Sequence, residues 1–374
     1  MRNNIIAFLI VAMSVWAWFL GGNLSTNNSI SAQSEIKNNQ DNKKEVIETN
    51  ITDLQNEIIK VWNSVSESVV SIIVKKDLEL YRQSPFWMSW PSMGTISREI
   101  SWWTGFFIDD SGTIITNKHV VNNNWDDYIV VTNSWEEYDA QILWFDQLTD
   151  LAVIKIFSEE KTKPVKFVES EDEIKIWQFW IAIGNALAKY KNSITLWIIS
   201  WKNRSITVWD WDKLNWLIQT DAAINPWNSW GPLTSISWKV LGINTAISWD
   251  ANWIWFSIPL SERRVKYIKE SIEKHGEIKR AYLWVEIIEV NRYTKPNFNT
   301  SVDYWNYVRS VEKWSNAEKY WIEKWDIILE AEWEKLMNKN LTDIIQNRIP
   351  WDNLSLKIYR DSEIKEINIK IWEK

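Results

Sequence analysis

The chain contains no cysteine and only two histidines, His119 and His275, in 374 residues. Without cysteine, thiol catalysis, disulfide bonds and cysteine-based zinc sites are excluded, although this absence does not fix the cellular compartment. Two histidines cannot build a histidine-rich metal centre. The net charge of −7 also argues against nucleic acid as a partner.

Glycine is the second shortage, because the chain has 9 glycines but 31 tryptophans. Glycine normally makes up about 7% of a protein, and tryptophan is in excess here by roughly the amount that glycine is short. Several tryptophans stand in polar turn sequences where glycine is usual, such as NNNWDD, SISWKV and IPWDN. We therefore hypothesise that a codon written here as tryptophan is read as glycine in the source cell, as happens where UGA is reassigned. The alternative is a protein that really is rich in tryptophan.

An apolar run, IIAFLIVAMSVWAWFLGG, extends from Ile5 to Gly22 after a short, weakly basic start. It is long for the core of a signal peptide and marginal for a full membrane span. We expect residues 1–22 to be a signal anchor that holds the rest of the chain outside the cytoplasm, with a cleaved signal peptide as the competing interpretation. Residues 23–50 are rich in Asn, Ser and Lys, which predicts a flexible linker.

Short β-branched runs dominate the chain from about Ser68 onward, and polar turns separate them as in an antiparallel barrel or sandwich. Residues 83–101 look like a long irregular loop within this region. Ahead of it, apolar residues at helical spacing predict a short amphipathic helix over about 51–65. Ser261 and Gly276 are the expected N-cap and C-terminal stop of a later helix, which would lead into a second compact unit of mixed strands and helices.

Three residues have the chemistry and the chain order needed for serine acyl transfer. Ser229 is the candidate nucleophile, His119 the candidate base, and Asp150 the candidate acid that orients the base. The order His, Asp, Ser is that of chymotrypsin-type proteases. Each residue lies at the end or start of a predicted strand, where a barrel cleft can gather them. Taken singly, each also has an ordinary structural explanation.

The surrounding sequence resembles the HtrA/Deg family of envelope serine proteases from about Ser68 to the C-terminus. The resemblance is carried by TGFFIDDSGTIITNKHVV, FDQLTDLAVIKI, LIQTDAAINPWNSWGPL, KVLGINTAI and WIWFSIPL. It implies a mainly β fold, with a chymotrypsin-like double β-barrel protease domain over residues 51–262. A connector helix over 263–280 and a small α+β PDZ domain over 281–374 would follow.

The same resemblance implies an ATP-independent serine endopeptidase of the cell envelope. Its substrates would be misfolded proteins or a regulatory membrane protein, cut after small aliphatic residues, and the chemistry needs no metal or organic cofactor. It also implies trimers built by the protease domains and control through the PDZ domain. In that domain, backbone N–H groups would hold the C-terminal carboxylate of a bound peptide. The segment concerned is Tyr282, Leu283, Trp284 and Val285.

The departures from the family fall mainly on tryptophan. The family has glycine where this chain has Trp102 or Trp103, Trp197, Trp227, Trp230, Trp255 and Trp284. The N–H groups of Trp227 and Ser229 are the expected oxyanion hole, and such donors are typically worth about 3 kcal/mol each in the transition state. A literal Trp227 would crowd this hole, so it predicts an inactive enzyme.

Two other functions fit parts of the sequence. With glycine at 227, residues 227–231 read G-x-S-x-G, the nucleophile elbow of α/β-hydrolases, which would use His275 and an acid such as Asp250. The β-rich upstream region, the position of His275 at a helix end and an unexplained His119 argue against that class. An inactive, membrane-tethered scaffold that binds peptides through the PDZ domain is the other alternative, and the intact triad argues against it.

Overall fold

The computed structural model describes residues 52–79, 95–121, 127–146, 148–185, 193–208, 212–221, 229–247, 254–290, 305–336 and 340–374. The predicted signal anchor and linker, and Trp227 of the expected oxyanion hole, lie outside these ranges. Among the described residues, no helix is both long and apolar enough to cross a lipid bilayer.

The first part of the described chain is a closed antiparallel barrel. Helix α1 (52–65) precedes its six strands, and the short helix α2 follows the third. The elements are β1 (Val69–Glu79), β2 (Thr95–Phe107), β3 (Thr113–Asn117), α2 (Lys118–Val121), β4 (Asp127–Val131), β5 (Glu137–Phe145) and β6 (Leu151–Ile156). The strands close in the order β1-β2-β3-β6-β5-β4. Buried β-branched residues such as Val70, Ile72 and Ile154 fill the barrel, as their preference for pleated, half-buried surfaces predicts.

The prediction of a loop over residues 83–101 is wrong for its last part. Thr95–Ser101 belongs to β2, where Arg98 lies opposite Lys76 and Glu99 opposite Lys75 in an antiparallel register. In TISREIS only Ile96 and Ile100 share the period of a strand, with Arg98 between them, and the preceding proline and aromatic residues favoured a loop. The earlier part, residues 83–94, lies outside the described ranges.

A second β sheet follows and also closes on itself. Its strands are β7 (Lys166–Phe167), β8 (Phe179–Gly184), β9 (Ser193–Val208), β10 (Asp212–Thr220), β11 (Pro232–Ser235), β12 (Lys239–Ile247) and β13 (Trp255–Pro259). They lie in the order β11-β8-β9-β10-β13-β12-β7, and β11 pairs with β12 as well, which joins the two sides of the sheet. The buried core of this barrel includes Ile199, Ile218, Leu233 and Leu241.

Helix α3 (Glu262–His275) leaves the second barrel with the predicted caps. The Ser261 side chain accepts a hydrogen bond from Arg264 N, and Gly276 ends the helix in the left-handed conformation at φ 72°. Lys269 of this helix reaches back to Asp109 at 2.7 Å, in the turn between β2 and β3. Burial opposes ionisation of Asp109, but hydrogen bonds from Lys269, Ser111 and Thr113 outweigh it and lower the pKa of this carboxyl.

A third sheet packs around one apolar core that runs from Ala281 to Ile371. Its elements are β14 (Ala281–Tyr282), β15 (Val285–Val290), β16 (Trp305–Val311), α4 (Asn316–Lys319), β17 (Ile327–Ala331), β18 (Glu334–Lys335), α5 (Leu341–Gln346), β19 (Asn353–Arg360), β20 (Glu363–Lys370) and β21 (Trp372–Glu373). The main sheet has the order β15-β16-β17-β19-β20, while β14 pairs with β21. In this arrangement β15 forms an edge of the sheet.

Left-handed backbone conformations in this chain belong mostly to tryptophan. Sixteen non-glycine residues of the described ranges have positive φ, and eleven of them are tryptophan. The eleven are Trp135, Trp177, Trp216, Trp230, Trp238, Trp284, Trp314, Trp321, Trp325, Trp333 and Trp351. Glycine adopts this conformation freely, whereas a bulky side chain is strained in it. The backbone therefore has the shape of a chain with glycine at these turns.

The side chains of these tryptophans also fit poorly. Eight of the eleven are among the exposed large apolar residues, and Trp314 is 90% exposed. Trp284, also one of the eleven, buries its indole N–H without a hydrogen-bond partner, as do Trp103 and Trp180, which are not left-handed. A buried donor without an acceptor typically costs about 1–3 kcal/mol.

Candidate active site

His119 and Asp150 come together because they follow and precede neighbouring strands. Asn117, the last residue of β3, is paired with Leu151, the first residue of β6. His119 lies in α2 directly after β3, and Asp150 comes directly before β6. The Lys118 N–H donates to the Asp150 carbonyl at 2.9 Å, which fixes the two segments against each other.

The side chains of His119 and Asp150 form the pair that the sequence predicts. His119 Nδ1 lies 2.9 Å from both carboxylate oxygens of Asp150. The His119 backbone N–H also donates to Oδ1, at 3.1 Å. An Nδ1–H donated to the carboxylate leaves Nε2 with a free lone pair as the acceptor, which is the tautomer that a general base needs. Asp150 itself has φ 56°, so the turn around it must hold it in a left-handed conformation.

Two further residues hold the Asp150 carboxylate, and sequence reasoning missed both. Asn117 Nδ2 donates to Asp150 Oδ2 at 3.0 Å, and Thr245 Oγ1 donates to the same oxygen at 2.7 Å. Burial disfavours the charged form of Asp150, but the hydrogen bonds from His119 and Thr245 outweigh it, so the pKa of Asp150 is lowered. Asp150 therefore stays ionised at neutral pH and can stabilise an imidazolium. Asn117 could have been suspected because it lies two residues before His119. No sequence pattern indicated that Thr245 of β12 would contact Asp150.

Ser229 lies three residues before the first residue of β11. Its side chain is buried, with 8% exposure. Gly231 beside it cannot be any other residue, because a Cβ there would lie 1.8 Å from the Ile183 carbonyl oxygen in β8. This close approach fixes the backbone that carries Ser229. With Trp227 outside the described residues, the oxyanion hole from the N–H groups of Trp227 and Ser229 stays a prediction.

Trp230 occupies the nitrogen of His119 that would receive the proton of Ser229. Its indole N–H donates to His119 Nε2. The Trp230 ring is edge-on to Trp103, with ring centroids 4.3 Å apart, so it is held from both sides. Its backbone N–H donates to the Asn244 carbonyl at 3.0 Å, and its φ is 66°. A histidine whose Nε2 lone pair is engaged by an indole cannot act as a general base.

The predicted peptide-binding segment connects β14 to the edge strand β15. Tyr282 ends β14, Val285 begins β15, and Leu283 between them is buried. Trp284 has φ 59° and packs its ring edge-on against Tyr282 at 5.1 Å. The segment therefore turns through a left-handed residue directly before an edge strand.

The remaining candidates lie elsewhere. His275 is an exposed residue at the C-terminus of α3, the ordinary place for a cationic side chain. Asp250, its possible partner in the hydrolase alternative, lies outside the described residues. Within the described ranges, no three acidic or histidine side chains are arranged to hold a metal ion.

Comparison with known proteins agrees with this geometry. Residues 103–243 match the family described as trypsin-like peptidase domain. A Synechocystis sp. protein described as "Putative serine protease HhoA" is 38% identical over 188 residues, which cover 50% of this chain and 47% of that protein. A Chlamydia muridarum protein described as "Probable periplasmic serine endoprotease DegP-like" is 30% identical over 273 residues, covering 72% of this chain and 54% of that protein. The chain spans about half the length of these curated relatives.

The fold also has solved counterparts. The structure of the HtrA-type protease AlgW with a decapeptide superposes with a TM-score of 0.58 at 23% sequence identity. The match covers 84% of this chain and 98% of that one. The predicted mainly β fold with two barrel-like sheets is confirmed.

Proposed function

The chain belongs to the HtrA/Deg family of serine proteases, and we propose that it is an endopeptidase whose nucleophile is Ser229. His119 takes the hydroxyl proton through Nε2 as Ser229 attacks the peptide carbonyl, and later gives it to the leaving amine. Asp150 orients the imidazole and stabilises its charged form. The observation that carries this proposal is the His119–Asp150 pair, held at 2.9 Å and further fixed by Asn117 and Thr245.

The test of this chemistry is Ser229→Ala. We expect the variant to lose cleavage of an unfolded, casein-like protein and to lose labelling by a fluorophosphonate, which reacts only with an activated serine. Ser205→Ala is the matched control, because Ser205 is an exposed residue of β9. It should keep both activities. Cleavage that persists at the same rate in Ser229→Ala would rule out Ser229 as the nucleophile.

We further propose that the active protein has glycine at 227 and at the eleven left-handed tryptophan positions, which include 230. We call the chain with glycine wherever the source cell reads the reassigned codon the glycine form. Two independent facts support it: the positive φ of eleven tryptophans and the indole of Trp230 on His119 Nε2. If residue 230 is really tryptophan, its indole on His119 Nε2 instead favours an inactive peptide-binding scaffold. The residue at 230 therefore distinguishes the protease from the scaffold.

The C-terminal unit, residues 281–374, is proposed to be a PDZ module that binds the C-terminus of a peptide. Strand β15 is an edge strand of the sheet, so its outer N–H and C=O groups can accept the peptide as an added strand. The segment from Tyr282 to Val285 would hold the terminal carboxylate with backbone N–H groups. Glycine at 284 suits the φ of 59° in this segment, which a tryptophan adopts only with strain.

Peptide binding is tested with one peptide in two forms, a free C-terminal carboxylate and an amide. In the Ser229→Ala glycine form, fluorescence anisotropy should show the free acid binding at least about tenfold more tightly, or 1.4 kcal/mol. Keeping tryptophan at 284 should weaken the free acid, whereas keeping it at 333, an exposed turn between β17 and β18, should not. Equal affinity of acid and amide would contradict carboxylate capture.

Location and assembly follow from the family and stay proposals. The relative from Chlamydia muridarum is described as periplasmic, and the apolar run at the N-terminus suits an extracytoplasmic protein. We place the chain on the outer side of the cytoplasmic membrane, anchored by residues 1–22 or released by their cleavage. Misfolded or regulatory proteins are the proposed substrates, and a homotrimer is the proposed assembly.

A further inference from the structure

We propose that Arg280 is a positioning residue for the catalytic Asp150, acting through an ion pair with Asp146. Arg280 lies outside both barrels, directly before β14, and Asp146 directly follows β5, four residues before Asp150. The Arg280 guanidinium donates from Nη2 to Asp146 Oδ2. The inference rests on the proposed protease function, since it concerns the geometry of that triad.

Asp146 shapes the turn from which Asp150 projects. Its backbone N–H donates to the Leu151 carbonyl at 2.7 Å, which closes the turn. Its Oδ1 accepts from the Leu148 N–H at 3.1 Å, and its Oδ2 accepts from the Thr149 hydroxyl. The residue is only 6% exposed. One buried carboxylate therefore organises the residues that lead up to the catalytic acid.

Burying a carboxylate is costly unless a cation and hydrogen bonds compensate for the lost hydration. Arg280 supplies the cation, and its own position is fixed by the C-terminal unit, because its carbonyl accepts from the Lys374 N–H at 3.0 Å. The catalytic turn of the first barrel thus takes part of its support from a residue on the third sheet. Without the guanidinium, Asp146 would be drawn toward water, and its bonds to Leu148 and Thr149 would loosen.

Asp150 is sensitive to such loosening because its backbone is left-handed, at φ 56°. Surrounding contacts must hold a non-glycine residue in that conformation, and it relaxes when they weaken. Relaxation would move the carboxylate away from His119 Nδ1, which lies 2.9 Å from it. Substrate contacts would be unaffected. The expected defect is therefore in kcat, with KM preserved.

The test replaces Arg280 in the glycine form. Arg280→Met keeps the apolar stem but removes the charge, and we expect kcat for a short peptide substrate to fall by about 10²-fold, the typical effect of a misplaced catalytic group, with KM changed less than about twofold. Arg280→Lys should recover part of the loss. The matched control is Lys213→Met, because Lys213 pairs with Asp343 at 3.4 Å between the second barrel and α5 without contacting the catalytic turn. It should keep the parental kcat.

A second readout does not depend on activity. In the proton NMR spectrum, the His119 Nδ1–H held by Asp150 should give a low-field resonance in the parent and in Lys213→Met. It should be lost or broadened in Arg280→Met at an unchanged thermal unfolding midpoint. A parental resonance and kcat in Arg280→Met would overturn the inference, as would equal losses in Lys213→Met. A parent that shows the resonance but no hydrolysis would instead contradict the proposed function.

Discussion

The chain with tryptophan at 227 and 230 should cleave an unfolded protein at least about 10³-fold more slowly than the glycine form. The structure gives the reason at 230, where the indole N–H occupies His119 Nε2 and the ring is packed against Trp103. The base then has no lone pair for the Ser229 proton. Gly231 cannot shift to relieve the contact, because its backbone already lies against Ile183. The measurement is kcat/KM of the two purified chains on one peptide substrate.

The controls separate the side chain from the backbone. Trp230→Ala frees Nε2 but leaves a Cβ at φ 66°, so with glycine at 227 it should recover only part of the activity. Keeping tryptophan at 135, an exposed turn residue of the first barrel, should leave kcat unchanged. Protein purified from the source cell should contain glycine at both positions when the peptide that includes Ser229 is sequenced by tandem mass spectrometry. Tryptophan there, together with full activity, would refute the recoding proposal.

Asp150→Asn in the glycine form should lower kcat by about 10⁴-fold with little change in KM. The Asp150 carboxylate accepts from His119, Asn117 and Thr245. An amide has only one acceptor oxygen, so its NH₂ group must face at least one donor. The imidazole then turns or takes the other tautomer, with its proton on Nε2. The measurement is kcat and KM on a short peptide, with thermal unfolding to confirm the fold.

The matched control for this variant is Asp139→Asn, which makes the same chemical change at an exposed position of β5. It should show parental kinetics. A kcat within tenfold of the parent for Asp150→Asn would mean that Asp150 is not the orienting acid. Thr245→Val is a milder variant, because it removes one donor to the carboxylate and leaves the Asn117 and His119 bonds in place.

Local chemistry made much of the site predictable. Clear strand and turn patterns surround each of the three candidate catalytic residues, His119, Asp150 and Ser229. The helix caps at Ser261 and Gly276 follow from side-chain and backbone preferences. Thr245 could not be found this way, because its role depends on β12 coming close to the end of β3, which is a tertiary event. The ion pair of Asp146 and Arg280 is unpredictable for the same reason, since 134 residues separate the partners.

The strand over Thr95–Ser101 was missed for a different reason. Its apolar pattern is weak, because three polar residues separate Ile96 from Ile100, and the proline and aromatic residues ahead of it favoured a loop. Pairing with the end of β1 supplied the hydrogen bonds that decided the conformation.

The eight solvent-facing indoles at left-handed turns bear on how this gene can be studied. Under the proposed recoding, a laboratory host with the standard code would stop or misread at the codons concerned, and a synthetic gene copied from the printed sequence would place a large apolar ring at each of these turns. Such a product would be prone to self-association in the test tube. Poor solubility or absence of activity in that product would then result from the tryptophan substitutions and would not report on the activity of the glycine form. The proposal therefore calls for expressing the glycine form beside the printed sequence and comparing the solubility and activity of the two products.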